Sequence, residues 1–436
     1  MTQEQALEIL KLGHNVFLTG PAGSGKTFLL NKYIAYLQEH NVDVGITAST
    51  GIAATHMNGM TIHAWSGIGI KDHLGPSEIE AMVEKPYLKK RFNHARVLII
   101  DEVSMLHGYR LDIINHVCQA FKQSLQPFGG LQVVMCGDFF QLPPVSRNGG
   151  DDRFVYTSRS WQEMGLRVCY LEEQYRQSDQ GFVDVLNEIR SSRVSQTTID
   201  RLRERQEASI EDFITPTKLF THNSNVDSIN QKMLNEIPDK TQTFYMSAEG
   251  NQTLVNISKN GCLAPEQLHL KTGAVVMFVK NNYQKGYVNG TMGEVIGFSE
   301  SGYPLVRTYA GQTIEATPEH WMIEERGQLQ ADISQVPLRL AWAITVHKSQ
   351  GMSLDAAELD LRSCFVPGMG YVALSRVRTL AGIRLLGLNQ MALQINPDVL
   401  LFDQELQKRS QTAQAELETF TKRSRAKAQK AFLKGM

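Results

Sequence analysis

Four short apolar runs divide the first third of the chain, and each ends in glycine, hydroxyl or carboxylate residues. They are NVFLTG (15–20), VGITAS (44–49), VLIIDE (97–102) and VVMCGD (133–138). Continuous runs rich in β-branched residues are typical of strands buried on both faces of a parallel sheet. Helical patterns at 27–39 and 108–124 alternate with them, which predicts an α/β sheet. Ligands of such sheets bind beyond the carboxyl ends of the strands, so we expect a site at that edge.

A second α/β pattern begins near residue 168. Its predicted strands are VCYLEE (168–173), KLFTHN (218–223) and the apolar segment 336–346. Residues 274–325 carry short strand patterns separated by Gly/Asn turns, which predict a small β-barrel inserted in the second lobe. The predicted division is 1–66 and 91–167 for the first lobe, 67–90 for a small insertion, 168–273 and 326–403 for the second lobe, 274–325 for the barrel, and 404–436 for a helical tail.

The composition indicates a folded protein of several domains, but it does not indicate whether the protein binds nucleic acid. The 436 residues are 42% hydrophobic and 20% charged, which is typical of a folded chain of two to four domains. A formal net charge of −1 neither supports nor excludes a nucleic-acid partner. Five separated cysteines without a C-x-x-C pair indicate buried, reduced thiols and a cytoplasmic protein, associated with the nucleoid in a bacterium. No apolar run is long enough to span a membrane.

The C-terminal stretch 419–436 is basic. Its six cations are Lys422, Arg423, Arg425, Lys427, Lys430 and Lys434, and it has no acidic residue. Such a run is typical of a solvated terminal helix, and it is also suited to electrostatic contact with nucleic acid.

The segment GPAGSGKT directly follows the first predicted strand and precedes a predicted helix. It fits the pattern G-x-x-x-x-G-K-[ST], in which backbone N–H groups and the helix N-terminus bind the phosphates of a nucleoside triphosphate. Lys26 is expected to reach the β and γ phosphates, and the Thr27 hydroxyl to ligate Mg²⁺. The predicted phosphate loop comprises Gly20, Pro21, Ala22, Gly23, Ser24, Gly25, Lys26 and Thr27.

Two further strand ends carry residues suited to triphosphate hydrolysis. In VLIIDEVSM (97–105), Asp101 is predicted to hold Mg²⁺ and Glu102 to act as general base. In CGDFFQLPPV (136–145), the Gln141 amide can both donate and accept, so it is suited to sense the γ-phosphate. The order of these motifs along the chain predicts an ATP- and Mg²⁺-dependent hydrolase.

Together the motifs resemble superfamily 1 helicases, and most closely the PIF (petite integration frequency) family of group B. The segments that carry the resemblance are TASTGIAATHMNGMTIHAW (47–65), PFGGLQVVMCGDFFQLPPV (127–145) and LRLAWAITVHKSQGMSLD (338–355). It extends from Gln5 to about Leu388. The resemblance implies two RecA-like parallel-sheet domains of α/β class, with a small insertion in the first and an SH3-like β-barrel insertion in the second.

The resemblance also implies roles for individual residues. Gln5 would read the adenine edge, with Gln3 as a nearby competitor. In LEEQYRQ (171–177), Tyr175 would stack on the base and Arg176 would reach the γ-phosphate, as would Arg376 in YVALSRVR (371–378). Both arginines are assigned to the second lobe, so that they stabilise charge only when the lobes close. In VHKSQG (346–351), Gln350 and Gly351 would lie near the nucleotide, with His347 and Lys348 nearer the DNA.

Single-strand binding requires hydroxyl, amide or cationic side chains along a groove. Candidates at predicted strand ends are Thr47, Thr50, Thr61 and His63 in the first lobe and His222, Asn223 and Asn225 in the second. Helix capping and turn formation are the ordinary alternatives for these residue types. Trp65 is predicted to be a core residue.

We therefore expect an ATP-dependent DNA helicase that acts as a monomer without an obligate protein partner. The resemblance implies 5′→3′ movement on single-stranded DNA, forked duplex DNA as substrate, RNA–DNA hybrids and G-quadruplexes as further substrates, and roles in DNA repair, recombination and telomere maintenance. Two alternatives remain open at this point. One is a ring-forming P-loop remodeller, which would borrow its arginine from a neighbouring subunit; the other is a motor subunit of a nuclease complex.

Overall fold

The structure, a computed structural model, describes residues 1–69, 71, 73–144, 154–177, 179–206, 208, 210, 215–221, 226–325 and 328–435. Its strands are β1 Val16–Thr19, β2 Val44–Ala48, β3 Met60–Thr61, β4 Val97–Asp101, β5 Gln132–Cys136, β6 Arg167–Tyr170, β7 Thr217–Phe220, β8 Gln242–Tyr245, β9 Ser247–Gly250, β10 Gln267–Leu270, β11 Val275–Phe278, β12 Met292–Phe298, β13 Pro304–Thr308, β14 Thr313–Glu315, β15 Glu319–Glu325, β16 Gln328–Gln335, β17 Leu338–Leu340, β18 Ala343–Thr345, β19 Ala357–Leu361 and β20 Ile383–Leu388.

The α-helices are α1 Gln3–Lys11, α2 Lys26–Glu39, α3 Gly51–His56, α4 Ile62–Ser66, α5 Pro76–Val83, α6 Pro86–His94, α7 Gly108–Lys122, α8 Arg159–Glu163, α9 Gln180–Arg190, α10 Gln196–Glu204, α11 Val226–Glu236, α12 Gln252–Gly261, α13 Met369–Leu374, α14 Pro397–Thr419 and α15 Lys422–Lys434. Short 3₁₀ turns occur at Val103–Met105, Pro127–Gly130, Val155–Thr157, Leu380–Gly382 and Gln390–Leu393. Within the described ranges, we find no helix with both the length and the apolar character needed to cross a bilayer.

The first lobe is built on a six-stranded sheet of order β3-β2-β4-β5-β1-β6. Every neighbouring pair is parallel. The residues of β1, β4 and β5 are buried throughout, because helices cover both faces of the sheet. The four predicted strands are all present, and their carboxyl ends meet at one edge. The predicted α/β class is confirmed.

The sixth strand corrects a predicted boundary. Residues 168–173 were assigned to the second lobe, but β6 pairs with β1 in the first, with Val16 opposite Arg167 and Thr19 opposite Tyr170. The first lobe therefore continues to the end of β6. A strand pattern shows that a segment is buried and extended, but not which strand it will pair with.

The second lobe has a smaller parallel sheet of order β18-β7-β19-β20. The apolar segment 336–346, predicted as one strand, is divided between two sheets. Its first part is β17, which pairs with β11, and its second part is β18, which pairs with β7. One continuous apolar segment thus contributes to both the parallel sheet and the insertion.

The predicted barrel is also divided. A five-stranded sheet of order β14-β13-β12-β11-β17 forms most of it, and its strands pair antiparallel. The strands β15 and β16 instead form a long hairpin that pairs with β9 in a separate three-stranded sheet. The insertion therefore extends beyond 274–325, and the start of 326–403 belongs to it and not to the parallel sheet. The strands β8 and β10 form a further two-stranded sheet.

The small first-lobe insertion is helical. The helices α5 and α6 begin within the predicted range 67–90, and α6 continues beyond it to His94. Leu88 and Phe92 of α6 are fully buried, and the Phe92 ring packs against Trp65, with ring centres 4.7 Å apart. The core assignment of Trp65 is therefore correct, and the insertion is anchored to the lobe by its second helix.

The C-terminal helices return to the first lobe. Along α14, the Ser410 hydroxyl accepts the Tyr170 N–H at 3.1 Å, and Glu416 lies 3.0 Å from Arg167. The helix therefore covers the open edge of β6, which a sheet must protect. The basic helix α15 packs on α1, where Gln429 donates to Glu8 at 2.8 Å. Five of its six cations are exposed, all but Arg425.

Candidate active site between the two lobes

The phosphate loop joins β1 to α2 and depends on glycine at two positions. Gly23 and Gly25 have φ angles of 83° and 79°, which residues with a Cβ adopt at a cost. A Cβ at Gly23 would lie 2.6 Å from the Arg176 Cβ, and one at Gly25 would lie 2.2 Å from the Gln3 Nε2. The backbone conformation thus favours glycine at both positions, and at Gly23 the close Arg176 Cβ adds a steric requirement, whereas the Gln3 side chain beside Gly25 could move.

Lys26 opens α2 and turns back over the loop. Its Nζ donates to the carbonyl oxygens of Gly20 and Pro21, each at 2.9 Å. Burial lowers the pKa of Lys26, and the carboxylates of Asp138 and Glu102 oppose that shift. The ammonium group therefore lies in a site where a polyanionic ligand would stabilise its charge.

The acidic pair lies across the cavity from the loop. Asp101 ends β4, and Glu102 follows it with a left-handed φ of 53°. Burial raises the pKa of both carboxyl groups, and for Glu102 the neighbouring Asp101 charge adds to the effect and brings the pKa to about 7. A carboxylate with a pKa near neutrality is suited to accept a proton from an attacking water.

A hydrogen-bonded glutamine joins the two lobes at this pair. Gln350, in the turn after β18, donates from Nε2 to Glu102 Oε2 at 3.0 Å and to Gln141 Oε1 at 3.3 Å. Gln141 follows β5 of the first lobe and is buried. The Gln350 Oε1 is buried and has no hydrogen-bond partner among the residues that the structure describes. The predicted general base and the predicted phosphate sensor are therefore bridged by one side chain of the second lobe.

Two arginines approach the same cavity. Arg376 is 1% exposed and donates to the Val372 carbonyl and the Ser375 hydroxyl, both at 2.9 Å. Arg176 donates to the Ser375 carbonyl at 3.1 Å. Burial lowers the pKa of both guanidinium groups, and repulsion by Arg376 contributes to the pKa of about 9 for Arg176. Neither forms a direct ion pair with a carboxylate among the described residues, although the nearby Glu102 charge raises the pKa of both, so an anionic ligand in the cavity would further offset their charge.

Arg176 does not come from the second lobe, as its motif was expected to. Its segment follows β6 directly, and the Tyr175 N–H donates to the Gly23 carbonyl at 2.9 Å. Arg176 therefore leaves the first lobe beside the phosphate loop, and its guanidinium reaches the Ser375 carbonyl of the second lobe. The second lobe itself supplies Arg376, and also Arg378, which lines the cavity while paired with Asp355 at 3.3 Å.

The end of the cavity beside Gly25 contains an exposed aromatic side chain. Tyr175 is 61% exposed, and its ring approaches to 3.6 Å of the position that a Cβ at Gly25 would take. Gln3 donates to the Ser24 carbonyl at 3.3 Å, whereas the Gln5 Oε1 accepts the Thr2 N–H at 3.0 Å and caps its own helix. The structure thus places Gln3 against the loop, and the adenine contact of Gln5 stays a prediction.

The residues described so far suit a magnesium nucleoside triphosphate. One cavity of about 770 Å³ is lined by Ala22, Gly23, Gly25 and Thr27 of the loop, by the cations Lys26, Arg176 and Arg376, and by the acidic pair. Thr27 and Asp101, the predicted magnesium ligands, line the same cavity and offer the hard oxygen atoms that Mg²⁺ prefers. Gly351 also lines it, as predicted.

The predicted nucleic-acid contacts divide into several groups. Thr47 is fully buried and its hydroxyl donates to the Ile99 carbonyl at 2.6 Å, so its side chain is not available to a strand. Thr50 and Thr61 cap α3 and α4. Burial, and then the charges of Arg110 and His107, lower the pKa of His63 to about 4. Three of the predicted contacts, Thr50, His347 and Lys348, line the cavity. His222, Asn223 and Asn225 lie outside the described residues.

Comparison with known sequences identifies the family. The family model for PIF1-like helicases matches residues 3–200, and the model for the 2B domain of DNA helicase Pif1 matches residues 254–298. The ATP-dependent DNA helicase Pif1 of Psychrobacter sp. (strain PRwf-1) is 44% identical over 91% of this chain and 69% of its own length. This chain belongs to the PIF1-like helicase family.

Solved structures of the family share the fold. Bacteroides sp. Pif1 in complex with ADP-AlF4 has a TM-score of 0.81 at 30% identity and covers 93% of this chain and 96% of its own. Bacteroides Pif1 in complex with ADP-AlF3 and single-stranded DNA has a TM-score of 0.63 at 30% identity, with 94% and 97% covered. As a PIF1-like helicase, the chain is an ATP-hydrolysing DNA helicase with two RecA-like domains.

Sequence analysis missed one part of this helicase cavity. His56 of α3 lies 3.1 Å from the Asn289 amide, measured between Nε2 and Nδ2, and burial lowers the pKa of His56 to about 4. The Asn289 N–H donates to the Asn281 Oδ1 at 2.8 Å, and Tyr283 of the same loop is exposed at the cavity. The segment NNYQKGYVNG (281–290) was interpreted only as a barrel turn. Its asparagines and tyrosine between glycine turns were the available signal.

Proposed function

We propose that ATP turnover in this helicase drives 5′→3′ movement along single-stranded DNA and the unwinding of forked duplexes, with RNA–DNA hybrids and G-quadruplexes as further substrates. The observation that carries the proposal is the Gln350 bridge, by which the second lobe contacts both Glu102 and Gln141 of the first. Hydrolysis chemistry at the acidic pair is thereby linked to the relative position of the two lobes.

The side chains suggest how turnover would proceed. Glu102 takes a proton from the attacking water, since its raised pKa makes it a competent base near neutral pH. Lys26 and the guanidinium groups of Arg176 and Arg376 stabilise negative charge on the leaving phosphates. Mg²⁺ held by Thr27 and Asp101 would neutralise part of the triphosphate charge. Once the phosphate leaves, Arg176 and Arg376 lose the anion that they share with Lys26, and the lobes can separate.

The strand would run past the mouth of this cavity. The neutral, half-buried His56 and the loop at 281–290 connect the first lobe to the barrel at one end of the cavity. The barrel would close over the strand, and the helical insertion with α5 and α6 would act as a wedge at the fork. Tyr87 supports the wedge role, since it is an exposed aromatic side chain on α6.

The same proposal includes a setting in the cell. We propose a cytoplasmic enzyme, which in a bacterium would be associated with the nucleoid. We propose that it acts in DNA repair and recombination and, in a cell with telomeres, in telomere maintenance. All five cysteines are free, and four of them are buried, which is compatible with a reducing compartment. Activity as a monomer is supported by Arg376, since this chain supplies its own arginine to the cavity and needs no neighbouring subunit for it.

Tailed duplexes test the direction of movement. The purified chain is mixed with duplexes carrying a single-stranded tail at either the 5′ or the 3′ end, with and without ATP. We expect strand separation only with the 5′ tail and only with ATP. Unwinding from the 3′ tail would reverse the proposed direction, and a lack of unwinding from both tails would argue for a motor that requires a partner. A forked duplex, an RNA–DNA hybrid and a G-quadruplex behind the same 5′ tail then rank the substrates.

A further inference from the structure

A buried cation lies behind the nucleotide cavity and takes no part in lining it. Arg190 is the last residue of α9 and is only 8% exposed. Its guanidinium stacks on the Phe140 ring, with the Cζ atom 3.8 Å from the ring centre. Burying a charge at this depth is costly unless its hydrogen bonds are made, so its partners indicate what it supports.

The first set of contacts leads to the phosphate sensor. The Arg190 Nη1 donates to both Asp138 carboxylate oxygens, at 2.7 and 2.8 Å. Asp138 in turn accepts the Gln141 Nε2 at 3.3 Å and, through its backbone carbonyl, the Gln141 N–H at 3.0 Å. The Gln141 Oε1 is thereby left to face Gln350. The Arg190–Asp138 pair therefore sets the orientation of the Gln141 amide.

The second contact leads to the phosphate loop and to the helix before Arg376. The Arg190 Nη1 also donates to the Tyr371 hydroxyl at 3.3 Å. That hydroxyl accepts the Ala22 N–H of the loop at 3.1 Å. Tyr371 belongs to α13, and Arg376 follows the end of the same helix. One guanidinium thus contacts groups on either side of the cleft.

The third contact anchors the guanidinium to the C-terminal helix. The Arg190 Nη2 donates to the Tyr170 hydroxyl at 3.2 Å and lies 3.7 Å from Asp403 of α14. The Tyr170 hydroxyl donates to the same Asp403 carboxylate at 3.0 Å. A planar guanidinium can serve all three directions at once, which an ammonium group on a flexible stem cannot.

We propose that Arg190 is a positioning residue for ATP hydrolysis, which holds Gln141 and Tyr371 in register with the phosphate loop. It touches neither nucleotide nor DNA. It acts by keeping the sensor amide turned toward Gln350 and the Arg376 helix seated against the loop.

Turnover measurements on three variants test the role. In Arg190→Gln, we expect kcat of the single-strand-stimulated ATPase to fall by about tenfold to a hundredfold, because small misplacements of reacting groups carry losses of that size. The KM for ATP should stay close to that of the unaltered protein. Arg190→Lys keeps a charge for Asp138 but cannot serve both tyrosines, so its kcat should be intermediate. Arg193→Gln, at an exposed position three residues further on, is the matched control and should keep full turnover.

A double-mutant cycle separates positioning from general support of the fold. Because Arg190 acts in part through Gln141, Arg190→Gln should lower kcat by a clearly smaller factor in a Gln141→Ala background than in the unaltered protein, and the loss that remains there is the part that passes through Tyr371. Losses that multiply, or an unchanged kcat with only a lowered melting temperature, would overturn the proposal. Should Arg190→Gln fail to fold, Arg190→Lys takes its place in the same cycle with the same criterion. The cycle measures ATP turnover with single-stranded DNA and requires no duplex unwinding. Its result therefore does not depend on the result of the tailed-duplex experiment.

Discussion

The two walls of the nucleotide cavity are built in different ways. The first-lobe wall presents its groups directly from the ends of buried parallel strands, as Asp101 does at the end of β4. The second-lobe wall presents Gln350 from a turn, where its N–H donates to the His347 carbonyl at 3.4 Å, and Arg376 from the end of a short helix, where its Nε donates to the Val372 carbonyl. Strand ends within a six-stranded sheet fix a group rigidly, whereas turns at the edge of another domain move with that domain. We infer that the first wall binds the nucleotide and that the second makes its turnover depend on lobe position.

Loss of the loop cation should have the largest effect, because the first wall serves both binding and turnover. We expect Lys26→Ala to lower ATP turnover by about a thousandfold and to abolish unwinding, since the half-buried cation of the phosphate loop is removed. Single-strand binding should survive, which fluorescence anisotropy with a labelled oligonucleotide can check. Lys32→Ala, on the exposed face of the same helix, is the control. Normal unwinding by Lys26→Ala would refute the assignment of this loop.

Loss of the second-wall arginine should separate binding from turnover. We expect Arg376→Ala to lower kcat by about a hundredfold or more, while the Kd for ATP stays close to that of the unaltered protein. Stopped-flow ATPase assays and nucleotide titration measure the two quantities. Arg384→Gln is a suitable control, because that arginine lies on β20, pairs with Glu358 on the neighbouring strand β19, and does not line the cavity. If turnover of Arg376→Ala is unchanged, the arginine is structural and the proposed division between the walls fails.

The acidic pair predicts a pH dependence with a definite sign. Glu102 must be deprotonated to act as a base, and burial together with the Asp101 charge raises its pKa to about 7. The kcat/KM for ATP should therefore fall about tenfold for each pH unit below that value and level off above it. A rate that stays constant down to pH 5.5 would show that Glu102 is not the base that limits turnover.

Loss of the Gln350 bridge should change the pH dependence of kcat/KM to a smaller extent. The Gln350 amide stabilises the charged form of Glu102 and so lowers its pKa. We expect Gln350→Met to move the acidic limb of the profile toward higher pH by less than about one unit, because one hydrogen bond contributes about 1 kcal/mol. A shift toward lower pH would mean that the bridge does not stabilise the charged form of the base.

The first wall was largely predictable from sequence, and the second was less so. The strands β1, β2, β4 and β5 each match a predicted apolar run to within one or two residues. Strands buried on both faces carry their signal in consecutive residues, so no knowledge of distant partners is needed. The phosphate loop and the acidic pair follow from those strand ends, because the carboxyl ends of parallel strands meet at one edge.

Pairing between distant segments could not be predicted in this way. The pattern of β6 did not reveal its partner β1, and the segment 336–346 did not show that it would divide between two sheets. Arg190 gave no signal either, since LNEIR looks like an ordinary amphipathic helix end. The side chains that accept its hydrogen bonds lie 20 to 181 residues away along the chain. Thr47 shows the opposite error: a hydroxyl at a strand end was assigned to DNA although a neighbouring strand uses it.

The return of α14 to the first lobe has a mechanical consequence. The polypeptide passes from one lobe to the other after β6 and comes back before α14, where Ser410 caps the edge of that same strand. The two interdomain connections beside β6 define a single hinge axis between the lobes. Rotation of one lobe about this axis strains neither connection, whereas sliding or twisting of one lobe against the other would strain both. Each ATP would then swing the far rim of the cleft through an arc, so that grip on the DNA changes most at the end remote from the hinges.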